Sequence, residues 1–235
     1  MSENIKIETK WHAIPKLFMM TATLPEPIVD DINKYLDNLL NQKSKNDHSG
    51  TLVGQIKNGE QLTVEINDPL LATYKALSIE MCGQYMEKFK SLVSSAGIFS
   101  KKQKIDFDEV WSVHSFKGDY NPRHDHGTKS KTGLSSTLWT KVPEGILSNP
   151  QIGGPGYYTN NSSGHLDGCI DFLFSELGSR STEDLHPSGS LAYRPEVGKM
   201  FIFPSWLNHN VYPFDCEGER RTVAANFNIW NSKEK

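Results

Sequence analysis

The stretch from Pro195 to Trp230 reads PEVGKMFIFPSWLNHNVYPFDCEGERRTVAANFNIW. Three short runs rich in aromatic and β-branched residues lie in it: Lys199–Phe203, Asn210–Phe214 and Arg221–Trp230. Pro, Gly and Asn clusters separate them, the punctuation expected of successive strands. His209 stands between the first two runs, eleven residues before Arg220, and Thr222 follows two residues later. Side chains on a strand alternate between faces, so Arg220 and Thr222 share one face and Ala224 and Asn226 continue it. Arg221 takes the opposite face and reads as a solvated charge at a strand start. A guanidinium at the back of a pocket grips a carboxylate with two parallel N–H bonds, and a neighbouring hydroxyl adds a third. Small Ala224 leaves room for such a guest.

Upstream the same texture continues. Val110–Phe116, Leu134–Val142, Cys169–Ser175 and Ser190–Tyr193 are further candidate strands. Many short strands at close spacing predict a β-sandwich or jelly roll. The loop from Pro143 to Gly168 contains GGPGYYTNNSSG, too rich in Gly, Asn and Ser for a core. Long loops in compact domains are commonly binding loops or lids. Gly153–Gly164 is therefore expected to be more mobile than the strands beside it.

Before Asp108 the period changes. Ile28, Val29, Ile32, Tyr35, Leu36, Leu39 and Leu40 recur at helical spacing, with Pro27 suited to a first turn. Asp68 reads as an N-cap followed by Pro69, and Leu70, Tyr74, Leu77, Met81, Tyr85, Phe89 and Leu92 form a second stripe. The polar segment NQKSKNDHSG between them reads as a loop. The expected whole is one domain, 1–235, mainly β, with an N-terminal helical layer over 1–107 and a β core over 108–235.

Three of the eight histidines carry the chemistry. His124 and His126 sit in YNPRHDHG, just past a predicted strand; at i and i+2 of an extended chain they point one way while Asp125 points the other. Jelly-roll strands distant in sequence are spatial neighbours, so His209 can complete one face of a metal site. Imidazole suits iron, zinc, copper and nickel alike, so the ligand type does not choose the metal. A second motif, His165-Leu166-Asp167, competes for the same role. His12, His48 and His114 show no partner pattern, and His186 in DLHPSG reads as a turn residue.

The order HxH, a glycine-led strand (DGCIDFLF), a strand ending in FP, then HNVYPF and RxT resembles the 2-oxoglutarate/Fe(II)-dependent oxygenase superfamily. Within it the pattern is similar to the prolyl-hydroxylase-like branch with its phage and bacterial relatives. The likeness runs from about Trp111 to Trp230. It implies a double-stranded β-helix, Fe(II) held by His124, His126 and His209, and dioxygen and 2-oxoglutarate as cosubstrates. It further implies that Arg220 and Thr222 hold the far carboxylate of 2-oxoglutarate, with Trp139 and Asn226 beside it. The implied reaction hydroxylates a peptidyl, prolyl-like side chain or a small metabolite and releases succinate and CO2. Most of the superfamily carries an acidic residue where this chain has His126, which leaves Asp125 as the alternative second ligand. The family places four strands between its first motif and its distal histidine; four are counted from His126 and three from Asp167, which favours the HxH motif over His165 and Asp167.

Composition narrows the remaining classes. A net charge of -3 leaves no basic footprint for nucleic acid. No apolar stretch approaches the roughly 20 residues of a membrane span, and the start MSENIKIETK lacks the apolar centre of a signal peptide. Three scattered cysteines with no CxxC pair argue against a thiolate zinc site and fit free thiols in a reducing cytoplasm, the host's for a phage-encoded member. Oligomeric state has no signature here. Two other classes share the strand pattern: a cupin-like metal-dependent dioxygenase or isomerase without 2-oxoglutarate, and a non-catalytic jelly-roll binding module. Arg220 and Thr222 argue against the first, and three retained histidines against the second.

Overall fold

The computed structural model describes residues 7–14, 17–92, 103–149, 164–174 and 189–231. The predicted lid segment 153–163 and the turn at His186 lie outside them.

Two antiparallel sheets face one another. The strands are β1 (Glu8–Ile14), β2 (Leu17–Thr23), β3 (Glu60–Thr63), β4 (Gln103–Ser115), β5 (Asn121–His124), β6 (Thr132–Lys141), β7 (Ile170–Leu173), β8 (Ser190–Tyr193), β9 (Lys199–Pro204), β10 (His209–Val211) and β11 (Arg220–Asn231). The large sheet has the order β1-β2-β9-β6-β11-β4-β3 and the small sheet β5-β10-β7-β8. Four strands of the large sheet, β9-β6-β11-β4, oppose the four of the small one, so the expected jelly roll holds.

Two helices cover the outer face of the large sheet. α1 (Glu26–Leu40) buries Ile28, Val29, Ile32, Tyr35, Leu36 and Leu39, the stripe its periodicity marks. Asp68 accepts from Leu70 N at 2.9 Å and caps a short turn, after which α2 (Ala72–Leu92) runs on. Their apolar faces pack on Val223, Ala225, Phe227 and Ile229 of β11, which alternation places outward. At about 1.5–3 kcal/mol per fully buried large apolar side chain, this layer is a major part of the stabilising burial. A second apolar cluster of Met19, Trp139, Ile170, Phe172, Phe201, Phe203 and Leu207 fills the space between the sheets.

The N-terminal part is not helical throughout. β1 and β2 extend the large sheet beyond β9, and β3 extends it at the other end beyond β4. β5, which the sequence pattern does not mark as a strand, carries Pro122 on an edge of the small sheet, the position where a missing N–H is tolerated. Short polar strands such as β3 (EQLT) have little intrinsic preference and take their form from the strand beside them.

Arg221 departs from the solvated charge expected at a strand start. It is 2% exposed, not solvated. The helical layer covers the outer face of β11, so both faces of that strand are interior.

Candidate functional site

β5 and β10 are neighbours in the small sheet, and their register pairs His209 directly with His124. His126 lies two residues past the end of β5, where its backbone N–H donates to Ser205 O at 2.9 Å. Ring centroids are 4.2 Å apart for His124 and His209, 4.9 Å for His126 and His209, and 5.3 Å for His124 and His126. One nitrogen from each ring lies within 4.8 Å of the other two, the one such cluster among the described residues. Asp125 is exposed and stays outside it, as do His165 and Asp167. Between His126 and His209 run four strands, β6 to β9, matching the expected count.

The second ring nitrogens show what these imidazoles present. His124 Nδ1 lies 2.7 Å from Pro122 O and His209 Nδ1 lies 3.0 Å from Leu207 O. A carbonyl only accepts, so Nδ1 carries the proton in both, and Nε2 is left with its lone pair. His126 Nδ1 sits 3.0 Å from Asn226 Oδ1, which also accepts from Ser135 Oγ at 2.7 Å. All three rings thus turn a neutral Nε2 inward, and such support is what metal-binding histidines ordinarily have. Their surroundings keep them neutral. Burial, then the nearby His124, brings His126 down to about 4. Burial also lowers His124, and burial with two neighbouring imidazoles lowers His209 well below its ordinary value. Three neutral, oriented nitrogen donors fit a divalent transition metal.

A cavity of about 350 Å³ opens from the histidines into the space between the sheets. Thr222, Ala224 and Asn226 line it from β11, with Trp139 from β6 and Arg220 from the start of β11. Trp139 is buried and meets Phe201 edge-on at 5.6 Å, so it serves the core and the cavity wall together. Arg220 is 3% exposed. Its Nη1 donates to Gly168 O at 2.9 Å and to Tyr212 O at 3.0 Å, and its guanidinium lies 5.2 Å from the Phe214 ring centroid. Among the described residues no carboxylate comes within ion-pair distance of it. Burial lowers its pKa to about 10, so it remains a cation at neutral pH. Asp119 attracts it from beyond ion-pair distance but accepts from the backbone N–H groups of Lys57 and Phe116, so an anionic guest against the guanidinium would relieve the cost of burying it. Gly168 has φ +69°, and a Cβ there would come within 2.6 Å of Ile146, so the carbonyl that steadies Arg220 depends on glycine.

Several participants were not apparent in the sequence. Ser135 supports Asn226, and nothing in its local pattern marks it. Asn121 Nδ2 donates to His124 Nε2 at 3.2 Å, on the lone pair a metal would take, so this contact holds the ring only until a metal displaces it; its place in YNPRHDHG, three residues before the histidine, is the signal the sequence offers. His48, from the polar segment that reads as a loop, and Leu52, Val53 and Ile56 just beyond it form one wall of the cavity. His48 is stacked on Trp111 at 5.1 Å. His114 is buried on the other side of the sheet.

A family model described as "Putative 2OG-Fe(II) oxygenase" matches residues 109–226. No curated protein matches the sequence significantly. Among solved structures, a Pseudomonas putida prolyl-4-hydroxylase aligns over 96% of this chain and 94% of its own, with 12% identity and a TM-score of 0.54. A prolyl hydroxylase from Trichoplax adhaerens, solved with a hypoxia inducible factor oxygen degradation domain peptide fragment, aligns over 92% and 84%, with 11% identity and a TM-score of 0.53. HygX from Streptomyces hygroscopicus, solved with nickel and 2-oxoglutarate, aligns over 90% and 82%, with 10% identity and a TM-score of 0.52. At these identities the likeness to each is one of fold.

Proposed function

The chain belongs to the 2OG-Fe(II) oxygenase family, and from that premise we propose that His124, His126 and His209 hold the iron while Arg220 and Thr222 hold the far carboxylate of 2-oxoglutarate. The enzyme is a dioxygenase that uses Fe(II), 2-oxoglutarate and dioxygen. The observation that carries the residue assignment is one cavity lined both by three inward-facing neutral imidazoles and by a buried guanidinium that, among the described residues, has no carboxylate within ion-pair distance.

When bound, the iron couples the oxidative loss of CO2 from 2-oxoglutarate, leaving succinate, to oxidation of the substrate. The protein's own side chains orient and exclude. Pro122, Leu207 and Asn226 keep the three imidazoles turned inward. Arg220 supplies the counter-charge for a carboxylate that would otherwise be buried alone, and the Thr222 hydroxyl adds a hydrogen bond on the same face. Trp139, Ala224 and Asn226 shape the wall between the two groups. Phe203 and Ile170 line the same cavity and keep water from its inner end.

For the finer activity we read hydroxylation of a peptidyl side chain. What supports it is the likeness to two prolyl hydroxylases, one solved with a peptide, together with a mouth that opens to the surface. HygX has also been solved with hygromycin B, which makes a small metabolite the alternative substrate class. We treat the chain as a single domain, because β1, β2 and β3 share one sheet with β4, β6, β9 and β11. Among the described residues no helix is long and apolar enough to cross a membrane. We place the enzyme in the cytoplasm, where its three free thiols and a ferrous site both find a reducing environment.

The test is metal binding by single variants, read by calorimetry with manganese(II) as the probe. His124→Ala, His126→Ala and His209→Ala should each lose binding, and Asp125→Ala should keep it. Normal binding by His126→Ala with loss in Asp125→Ala would overturn the ligand set. Loss confined to His165→Ala and Asp167→Ala would transfer the site to the competing motif.

A further inference from the structure

The mouth of the cavity holds a polar group with no assigned task. Gln61 lies on β3 and lines the cavity, yet it is 5% exposed, and its Oε1 has no hydrogen-bond partner among the described residues. The register puts it in a row that crosses the sheet: Gln61 beside Val113, Val113 beside Thr222, Thr222 beside Trp139. Paired residues on adjacent strands share a face, so Gln61 is on the cavity side with Thr222. It stands two strands from Thr222, roughly 10 Å at the usual strand spacing, with Val113 between them. A buried acceptor left unpaired is destabilising, and such groups are rare enough to call for a reason.

The segment preceding β3 is built to hold this wall in place. Gln55 exchanges backbone hydrogen bonds with Tyr120, at 3.2 and 3.1 Å, and Gly54 N–H donates to Asn121 Oδ1 at 3.1 Å. A Cβ on Gly54 would lie 2.2 Å from Tyr120 O, so only glycine permits this approach. The wall so fixed is apolar, with Leu52, Val53 and Ile56 lining the same cavity as Trp111. Charges around the mouth are of one sign. Glu109 and Asp125 line it and are exposed, and Arg220, at the inner end, is the one lysine or arginine among the described residues of the lining.

We infer that Gln61 is a specificity-determining residue whose amide, enclosed in the free protein, turns toward the cavity so that its oxygen receives an N–H or O–H donor of the substrate, and that the substrate group lodged there bears no negative charge. This rests on the proposed function, since it assumes that Arg220 is occupied by 2-oxoglutarate. An anionic group at the mouth would then find two carboxylates and, among the described residues of the lining, no free cation. An amide on an apolar stem would find an acceptor and an apolar wall.

The experiment compares the unmutated enzyme with Gln61→Met, similar in volume and lacking the oxygen, and Gln61→Glu, which keeps an acceptor. The probes are the N-acetyl amides of the twenty amino acids and the corresponding N-acetyl acids, scored by stimulation of succinate release. We expect stimulation by amides over their paired acids. In Gln61→Met the KM of a stimulating amide should rise at least tenfold, with partial recovery in Gln61→Glu. The affinity for 2-oxoglutarate, titrated into manganese-loaded protein, should stay within twofold. Tm of Gln61→Met should equal or exceed that of the unmutated protein, because an unpaired buried acceptor is removed. A marked fall in Tm would make Gln61 a structural residue and overturn the inference. So would an unchanged KM, stimulation by acids equal to that by amides, or stimulation by no amide at all. Absence of 2-oxoglutarate binding in the unmutated protein would instead overturn the proposed function, which separates the two failures.

Discussion

Arg220 and Arg221 are adjacent on one strand, and both are almost fully buried, yet they live in opposite electrostatic worlds. Arg221 faces α1. It is paired with Glu219 by two bonds of 2.8 and 3.0 Å and with Asp37 at 2.8 Å, and Asn33 Oδ1 accepts from it at 3.3 Å. Glu219 in turn meets His114 Nδ1 at 2.7 Å. Burial opposes ionisation of Glu219, but the hydrogen bonds from His114 and Arg221 outweigh it and bring the carboxyl down to about 2. Arg220 faces the cavity, with two carbonyls, an aromatic ring and no described carboxylate within ion-pair distance. The contrast teaches how to separate structural from functional burial: a buried charge whose partners are all protein serves the fold, and one left uncompensated marks where a ligand belongs.

Substitutions on the two faces sharpen this. The largest effect is expected for Arg220→Ala, which should weaken 2-oxoglutarate binding by about 2–5 kcal/mol, the range for breaking a buried charge pair. Metal binding should persist, since the arginine supplies no ligand. Arg220→Lys should recover only part, because an ammonium lacks the forked geometry. Calorimetric titration of 2-oxoglutarate into manganese-loaded protein measures all of this. An unaltered affinity in Arg220→Ala would erase the distinction between the faces.

Arg221→Ala should do the reverse. Stability should fall by roughly 2–4 kcal/mol, somewhat under the 3–5 typical of a broken buried pair because Asp37 is half exposed and screened. Affinity for 2-oxoglutarate should change little. Denaturant unfolding reads the first quantity and the same titration the second. A large loss of 2-oxoglutarate affinity with stability intact would reverse the assignment of the two faces.

Glu219 gives the outer face a pH signature. Its folded pKa of about 2 lies below the unfolded value near 4.5, so its contribution is present above pH 4.5 and is lost as pH falls toward 2. The difference in unfolding free energy between the unmutated protein and Glu219→Gln should therefore shrink by up to roughly 3 kcal/mol over that window. A difference that does not vary with pH would mean the carboxylate is not held by its partners. The smallest effect belongs to Thr222→Val, which removes one hydroxyl from the cavity face. About 1 kcal/mol of 2-oxoglutarate affinity, near fivefold, is expected, with Tm almost unmoved. A loss as large as that of Arg220→Ala would make the hydroxyl an equal anchor.

Both helices, seven of the eight later strands and the strand count that separates His126 from Asp167 as an entry to the site were legible in the sequence. Periodicity also determined which side chains share a face: Arg220 with Thr222, Ala224 and Asn226, and Arg221 apart from them. Those features follow from backbone geometry repeating every two or 3.6 residues, which neighbours in the chain are enough to express. Other features needed the tertiary structure. That Arg221 is buried depends on α1 lying across the sheet. That β3 and β5 are strands depends on partners some fifty residues away for one and some eighty for the other. That Asn226 steadies His126, and that Gln61 is left unpaired at the mouth, depends on contacts made only when the two sheets close. Alternation assigns a side chain to a face, but what covers that face is decided by residues remote in sequence, and so is whether a charge buried there finds a partner.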